Sequence, residues 1–299
     1  RRHAMTDTQL WEEDLSLQRK SMSINFRGND YSANLVAPAA ELGPRPLVIV
    51  IHNYQGLKSF DVDVAEYLAR VGFVGLAIDM YGADVPDGER DFPTDPEKIQ
   101  GFQNKCFRAM VRLDHDHEYF RGLLGAWIDA GLAEASVESH TAPAAIGYCF
   151  GGMAVIEGVR GGLNLSGVVS FHGLLQTGED PNPGHYGAER PALKLSPNNY
   201  NTGTIIVIEN GADDHLVSDE SKQRFFAEMD EAGVDWSFHH HAKTPHGFAL
   251  PPRLGPPGRL HEAADRRSTQ NMLSLFKEIF PHVAQNPVST NASGTHIPV

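Results

Sequence analysis

The sequence predicts an α/β fold with a mostly parallel, doubly wound sheet and helices on both faces. Short continuous apolar runs such as 47–51 have the composition of strands that are buried on both faces. They alternate with segments whose apolar side chains recur at helical spacing, as in 61–71. Two alternating segments near the start of the chain predict an antiparallel lead-in to the sheet. Strands that alternate with helices along one chain are typical of a parallel sheet with crossover helices.

The predicted strands are short and carry apolar or alternating side chains. The first two are separated by an Arg-Gly-Asn-Asp turn at 27–30, which predicts a hairpin. The later ones are continuous apolar runs, as expected where helices cover both faces of the sheet. The predicted strands lie at 22–26, 31–37, 47–51, 73–78, 143–146, 165–171, 204–209 and 236–240.

Helices and loops fill the intervals between these strands. The intervals 82–96 and 172–202 are interrupted by prolines and predict long loops, which in compact domains are often functional. Residues 99–130 predict either one long helix or two. The other predicted helices lie at 61–71, 152–159, 219–232 and 261–280.

The chain is predicted to form a single domain. Residues 1–20 are polar and predict an N-terminal arm, whereas residues 21–280 hold all the predicted strands and helices. Residues 281–299 are rich in Asn, Ser, Thr and Pro and predict a C-terminal tail. A chain of 299 residues, of which 41% are hydrophobic, is long enough to bury a sizeable core.

The composition argues against several classes of partner. The formal net charge of −13 disfavours nucleic acid, whose phosphates would be repelled, and gives no support for binding an anionic membrane surface. The two cysteines, Cys106 and Cys149, are too few for a four-cysteine zinc site and suit a reducing compartment. The N-terminal residues lack the apolar stretch of a signal peptide, and no apolar run has the length of a membrane-spanning helix. We therefore expect a cytoplasmic protein.

The chain is organised around the hexapeptide Gly-Tyr-Cys-Phe-Gly-Gly at 147–152, which joins a predicted strand to a predicted helix. Small residues two positions before and two positions after Cys149 are typical of the nucleophile elbow of α/β-hydrolases, with cysteine where serine usually stands. The N-terminus of the following helix favours a negative charge, and therefore a thiolate, at this place. The alternative is a tight turn that holds a buried, inert cysteine.

Thiol catalysis needs a base near the sulfur and an acid that orients the base. In α/β-hydrolases these groups follow the nucleophile in the order acid, then histidine. Asp214 comes after the strand 204–209, and His246 lies on a loop after the next strand. We therefore predict Cys149, Asp214 and His246 as the catalytic residues, with Asp213 as the alternative acid.

Two backbone amides are predicted to form the oxyanion hole. One belongs to Phe150, the residue after the nucleophile, and the other to Tyr54, in the loop that follows the strand 47–51. Because the loss of one such donor costs about 3–4 kcal/mol of transition-state stabilisation, this loop is expected to matter as much as the base.

Six blocks of sequence, taken together and in this order, resemble the dienelactone hydrolase family of α/β-hydrolases. The resemblance covers roughly residues 20–280 and implies hydrolysis of esters or lactones by a Cys-His-Asp triad, with neither metal nor cofactor. The blocks are 48–52 leading to Gly56, 78–82, 147–152, 169–173, 211–214 and 246–248.

Two departures from the family pattern concern the thiol and the substrate. Members that open dienelactone commonly carry a Glu that contacts the resting cysteine, at the position that Asn53 occupies in this chain. They also bind the lactone carboxylate with arginines, one of them expected where this chain has Gly82 and Ala83. Arg253 lies several residues beyond the predicted base. The resemblance therefore implies that a different ester is at least as good a candidate substrate as dienelactone.

Five further residues are predicted to line the substrate pocket. Two of them are histidines beside predicted strand ends, and the other three are suggested by the resemblance to the family. Hydrogen-bonded core positions are the alternative for the two histidines among them, with equal weight. The predicted pocket residues are His52, Asn53, Tyr81, His172 and Arg253.

Two histidine-rich segments are candidate metal sites. The run 239–241 would place consecutive side chains on alternate faces of a strand, so its three histidines cannot all bind one ion. The segment 114–117 alternates Asp and His on a predicted helix, where such spacing does not share a face, and a solvated surface is the expectation. We therefore predict no metal site.

The sequence as a whole predicts a hydrolase that cleaves a small ester or lactone through a Cys-His-Asp triad and an acyl-enzyme. The alternative is a catalytically weak or non-catalytic member of the same fold that binds a small ligand in this pocket. The expected partner is a small-molecule ester or lactone, without nucleic acid or membrane. The C-terminal tail leaves room for a homodimer.

Overall fold

The computed structural model describes residues 17–86, 92–179, 190–256 and 258–286. Most of the predicted N-terminal arm, part of the interval 172–202 and most of the predicted C-terminal tail lie outside the described residues. The described chain forms one eight-stranded sheet covered by helices on both faces. None of the described helices is long and apolar enough to cross a bilayer.

The strands follow the predicted order, and most of their bounds are within two residues of the predicted ones. They are β1 (Gln18–Phe26), β2 (Asn29–Ala37), β3 (Leu47–Ile51), β4 (Val74–Ile78), β5 (Ala144–Tyr148), β6 (Gly167–Phe171), β7 (Ile205–Gly211) and β8 (Asp235–His241). The spatial order is β1-β2-β4-β3-β5-β6-β7-β8. Only β1 and β2 pair antiparallel with their neighbours, and all other pairs are parallel. The predicted fold class is therefore confirmed.

β1 starts earlier than the sequence pattern indicated. The sequence predicts residues 18–20 as part of the N-terminal arm. In the structure they continue the antiparallel ladder, with Gln18 opposite Ala37 and Lys20 opposite Leu35. Both residues are exposed, so this end of the strand carries no hydrophobic alternation that would have marked it.

Six α-helices lie in the described residues and enclose the sheet in two layers. They are α1 (Ser59–Val71), α2 (Pro96–Asp114), α3 (His117–Leu132), α4 (Phe150–Arg160), α5 (Asp219–Ala232) and α6 (Glu262–Ile279). Buried side chains of α1 and α6 pack on one face of the sheet, and those of α2 to α5 pack on the other. The central strands β3 to β6 are buried on both faces, which explains their continuous apolar runs.

The interval 99–130 forms two helices, and the break between them is a buried joint. Asp116 begins α3 by accepting a hydrogen bond from the Tyr119 amide at 3.2 Å. His115 Nδ1 donates to the Pro191 carbonyl at 2.9 Å, so the segment after β6 packs over the break. Asp114, His115 and His117 are accordingly buried. The expected solvated face at 114–117 is wrong, because these residues connect two helices instead of continuing one.

The far end of α4 is fixed by buried ion pairs. Arg160 binds both carboxylate oxygens of Glu228 on α5, at 2.7 and 2.9 Å. Glu157, one turn earlier, accepts a hydrogen bond from Arg121 Nε at 2.6 Å. Removing one partner from such a pair would leave an uncompensated buried charge. These contacts therefore hold the helix whose N-terminus carries the predicted nucleophile.

Candidate active site

Cys149 occupies the turn between β5 and α4 with an unusual backbone conformation, φ 55° and ψ −110°. Its amide donates to the Phe171 carbonyl of β6 at 3.0 Å. A Cβ atom at Gly147 would lie 2.1 Å from the Gly151 carbonyl oxygen, and one at Gly151 would lie 2.1 Å from the Ile51 carbonyl oxygen. Because backbone meets backbone at both positions, only glycine fits there, and the turn is fixed against the end of β3.

The structure brings the three predicted catalytic side chains into one buried row. His246 Nε2 lies 3.2 Å from Cys149 Sγ, and His246 Nδ1 lies 2.8 Å from Asp214 Oδ2. The other Asp214 oxygen accepts a hydrogen bond from the Leu216 amide at 2.9 Å. An ionised carboxylate can only accept, so Nδ1 carries a proton and Nε2 is presented to the sulfur. Asp213, the alternative acid, is exposed.

The electrostatics of this row favour a charged pair. Burial by itself would lower the pKa of His246, but the negative charge of Cys149 and the hydrogen bond to Asp214 outweigh burial and raise the pKa of His246 to about 10. An imidazole that holds its proton at neutral pH stabilises a neighbouring thiolate. The arrangement can therefore hold an imidazolium beside a nucleophilic sulfur.

Two stretches of backbone hold the predicted oxyanion donors. Phe150 is the first residue of α4, whose first-turn amides have no acceptor within the helix. Tyr54 lies in a turn after β3 that Asn53 holds together. The Asn53 carbonyl accepts from the Gly56 amide at 3.2 Å, and its Oδ1 accepts from the Gln55 amide at 2.8 Å.

Asn53 and His52 use their side chains within the protein. Asn53 Oδ1 bonds its own turn, so this side chain shapes the loop. His52 is fully buried, and its Nε2 accepts from the Met80 amide at 3.1 Å, so Nδ1 is protonated and donates to the Asn53 carbonyl at 2.6 Å. His52 is therefore the hydrogen-bonded core residue that was one of its two alternatives, and it joins the loops after β3 and β4.

His172 is buried beside His246, whereas Arg253 is half exposed. The fully buried His172 ring packs edge-on against His246, with 5.3 Å between ring centres, and against Phe248 at 5.1 Å. Burial and the neighbouring His246 hold the pKa of His172 well below its ordinary value, so this ring is neutral. Arg253 is half exposed and lies 3.6 Å from Asp63 of α1. Its predicted place in the pocket therefore has no support from a contact with the catalytic row.

Gln55 is a residue that sequence reasoning missed. Its side-chain Nε2 donates to the carbonyls of Leu254 and Pro256, at 2.8 and 2.6 Å. The same loop contributes the Tyr54 hydroxyl, which donates to the Pro256 carbonyl at 3.2 Å. Gln55 thus ties the loop after β3 to the loop that carries His246. No local pattern could reveal it, because its partners lie about 200 positions away.

The histidines at 239–241 do not form a metal centre in the described structure. His241 Nε2 lies 2.6 Å from Glu209 on the neighbouring strand, and His239 lies 3.8 Å from the same carboxylate. His240 turns to the opposite face, beside Asn210. Within the described ranges, no group of three or more His, Cys, Asp or Glu side chains is placed to hold a metal ion.

Comparison with known proteins identifies the family of the chain. The model of the dienelactone hydrolase family matches residues 32–280. A carboxymethylenebutenolidase of Pseudomonas sp. is 26% identical over 269 residues, which cover 88% of this chain and 96% of that protein. The crystal structure of a dienelactone hydrolase-like promiscuous phosphotriesterase from metagenomic libraries superposes with a TM-score of 0.65 at 27% identity, covering 88% of this chain and 98% of that one.

A more distant likeness shows the fold alone. An esterase of Pyrobaculum calidifontis superposes with a TM-score of 0.54 at 17% identity, covering 91% of this chain and 88% of that one. The arrangement of the sheet and its flanking helices is thus shared with a protein of low sequence identity.

Proposed function

Because the chain belongs to the dienelactone hydrolase family, a family of ester and lactone hydrolases, we propose that it cleaves a small ester or lactone with Cys149 as the nucleophile. The observation that carries the proposal is the buried row of Asp214, His246 and Cys149, joined by contacts of 2.8 and 3.2 Å. A nucleophile, a base and an orienting acid within hydrogen-bond reach are the arrangement that covalent acyl transfer needs.

The proposed reaction begins from the thiolate of Cys149 and the imidazolium of His246. The sulfur attacks the ester carbonyl carbon, a C–S bond forms, and the carbonyl π electrons move to oxygen. When the tetrahedral intermediate collapses, the C–O bond breaks and His246 gives its proton to the departing alkoxide. A water molecule, deprotonated by His246, then attacks the thioester and releases the acid and the thiolate.

The surroundings of the row supply the remaining requirements. Asp214 holds His246 in the tautomer that presents Nε2 to the sulfur, and its negative charge balances the imidazolium. The amides of Phe150 and Tyr54 are the proposed donors to the oxyanion. Each such donor is worth about 3–4 kcal/mol in the transition state.

The proposed substrate is an ester other than dienelactone. The family pattern places carboxylate-binding arginines at two positions, and this chain has Gly82 and Ala83 at one of them. At the other, Arg253 lies beside the Asp63 carboxylate, which already offers it a negative partner. A substrate without a free carboxylate therefore suits this site better than one that carries it.

The proposal is tested by looking for the acyl-enzyme. The chain is mixed with p-nitrophenyl acetate, the p-nitrophenol burst is followed, and the intact mass is measured after an acid quench. We expect a burst and one acetyl adduct in the wild type and in Cys106→Ala, which keeps the other cysteine. Neither should occur in Cys149→Ala.

Two outcomes would contradict the proposal. An adduct that persists in Cys149→Ala would place the nucleophile elsewhere. A folded wild-type chain that forms no adduct with p-nitrophenyl acetate or with a chromogenic thioester would favour the alternative, a protein that binds a small ligand in this pocket without turning it over.

A further inference from the structure

Tyr81 carries a buried hydroxyl group that has no role in the reaction steps proposed above. The residue is 1% exposed, and its hydroxyl oxygen has no hydrogen-bond partner among the described residues. Leaving a buried polar group unsatisfied is unfavourable, so such groups are rare in folded proteins. Active sites are one place where such a group gains its partner only when a substrate binds.

The backbone of Tyr81 is held firmly at the end of β4. One Asp79 carboxylate oxygen accepts from the Tyr81 amide at 2.8 Å, and the other accepts from the Gly82 amide at 2.9 Å. The Asp79 carbonyl in turn accepts from Trp127 Nε1 at 3.0 Å. These bonds fix the backbone from which the phenol ring extends.

The Tyr81 ring packs against side chains from both segments that hold the predicted oxyanion donors. It meets the His52 ring edge-on, with 4.7 Å between ring centres, and it meets the Phe150 ring at 5.4 Å. A Cβ atom at Gly56 would lie 3.3 Å from the same ring, so the loop after β3 lies directly on it. Tyr81 therefore stands beside the predicted oxyanion hole.

The hydroxyl keeps its proton under the conditions in which the site would work. Burial raises the pKa of Tyr81 well above its ordinary value, and negative charge on Cys106 and Cys149 raises it further. A phenol that stays protonated can donate a hydrogen bond to a negatively charged oxygen.

We propose that the Tyr81 hydroxyl donates a hydrogen bond to the substrate carbonyl oxygen when that oxygen carries the negative charge of the tetrahedral intermediate. This inference rests on the proposed ester hydrolysis at Cys149. The phenol proton stays on Tyr81 throughout, while the C–S bond forms and the carbonyl π electrons move to oxygen. Tyr81 thereby adds a side-chain donor to the two backbone amides.

The test uses Tyr81→Phe, which removes the oxygen and keeps the ring. The rate of acylation by p-nitrophenyl acetate is measured in a single turnover, with the wild type alongside. We expect acylation to slow by about 10²-fold or more, since the loss of one oxyanion donor typically costs about 10²- to 10³-fold in rate. Tyr67→Phe is the matched control, because Tyr67 is a fully buried tyrosine of α1 on the opposite face of the sheet and should leave acylation unchanged.

Alkylation by iodoacetamide separates an effect on the oxyanion from an effect on the thiol. Alkylation consumes the Cys149 thiolate but forms no oxyanion, so Tyr81→Phe should alkylate at the wild-type rate. Inhibition by 1,1,1-trifluoroacetone, which adds to the thiolate and forms an oxyanion, should weaken by the same factor as acylation. This pattern would support a donor to the oxyanion.

Other patterns would overturn the inference. Unchanged acylation in Tyr81→Phe, or acylation and alkylation that slow equally, would show that the hydroxyl does not act on the oxyanion. Acylation and trifluoroacetone binding that fall by different factors would exclude it as well. A wild-type chain that is alkylated at Cys149 but never acylated would instead refute the proposed function itself, and the inference with it.

Discussion

Gln55 and Pro256, 201 positions apart in the chain, are joined by a hydrogen bond of 2.6 Å from the Gln55 side chain to the Pro256 carbonyl. A second bond from the same amide reaches the Leu254 carbonyl at 2.8 Å. The loop that holds the predicted oxyanion donor Tyr54 and the loop that carries His246 are therefore connected directly, without passing through the sheet.

Replacing this amide should disturb both loops. Gln55→Leu loses two hydrogen bonds and leaves the Leu254 carbonyl unsatisfied, while the Pro256 carbonyl keeps its bond from the Tyr54 hydroxyl, so we expect the free energy of unfolding to fall by roughly 1–3 kcal/mol. We also expect esterase kcat to fall more than KM changes, because both loops position groups that act in the transition state. Urea unfolding and steady-state kinetics test this expectation, and Gln100→Leu, at an exposed position, is the control. Wild-type stability and wild-type kcat in Gln55→Leu would contradict the expectation.

The acid in the row can be identified by comparing adjacent carboxylates. Asp214→Asn should lower kcat/KM for p-nitrophenyl acetate by at least about 10²-fold, because the amide no longer fixes the His246 tautomer. His246→Ala should lose as much or more, because the base itself is gone. Asp213→Asn, which changes an exposed side chain, should stay within about twofold of the wild type. Loss of activity in Asp213→Asn alone would mean that the acid is misassigned.

The raised pKa of His246 predicts the alkaline side of the pH–rate profile. With an alkyl ester, whose leaving group needs the imidazolium proton, kcat/KM should fall as the pH rises through about 10, the pKa of His246. With p-nitrophenyl acetate, whose leaving group departs without protonation, the fall should be weaker. Asp214→Asn should move the alkaline fall to lower pH, because one interaction that raises the pKa is lost. Profiles that are identical for both substrates would argue against this role for His246.

Asp265 of α6 should make stability depend on pH. Its carboxyl is 1% exposed, and burial raises the pKa of Asp265 to about 8, against about 3.9 in an unfolded chain. Between these values the folded state binds the extra proton, so its stabilising effect is complete below pH 4 and is lost as the pH rises through 8. The unfolding free energy of Asp265→Asn should therefore depend less steeply on pH than that of the wild type. The two slopes should differ by up to about 1.4 kcal/mol per pH unit.

Denaturant unfolding at several pH values tests this expectation. The comparison with the wild type isolates Asp265 from His246, whose raised pKa also removes stability as the pH rises from about 6.5 through 10. Parallel curves for the wild type and Asp265→Asn between pH 5 and pH 8 would contradict the assignment. Asp63→Asn, which changes a partly exposed carboxyl of α1, is the control for the loss of one acidic residue.

The fold was predictable because each of its signals is local. Buried strands such as 47–51 carry apolar side chains on both faces, and the glycines around Cys149 mark a turn where backbone meets backbone. The order of Cys149, Asp214 and His246 along the chain follows from strand ends that share one edge of a parallel sheet. These features need only a few neighbouring residues to be recognised.

Other features depend on contacts that no local pattern contains. The break before α3 is buried because the segment around Pro191 packs on it. The role of His52 depends on the Met80 amide of the neighbouring strand end, which fixes its tautomer. Gln55 carries no sequence feature that distinguishes it from other loop residues, because its partners Leu254 and Pro256 lie beyond His246 in the chain. Long-range hydrogen bonds thus account for most of what the sequence left open at the site.

The backbone of Cys149, with φ 55° and ψ −110°, has a consequence for stability. A side chain in so sparsely populated a region costs on the order of 1–3 kcal/mol, a cost that glycine would avoid. Cys149→Gly should therefore fold at least as stably as the wild type, while losing the thiol. The proposed role of Cys149 as the nucleophile would explain why a side chain occupies this turn in spite of that cost.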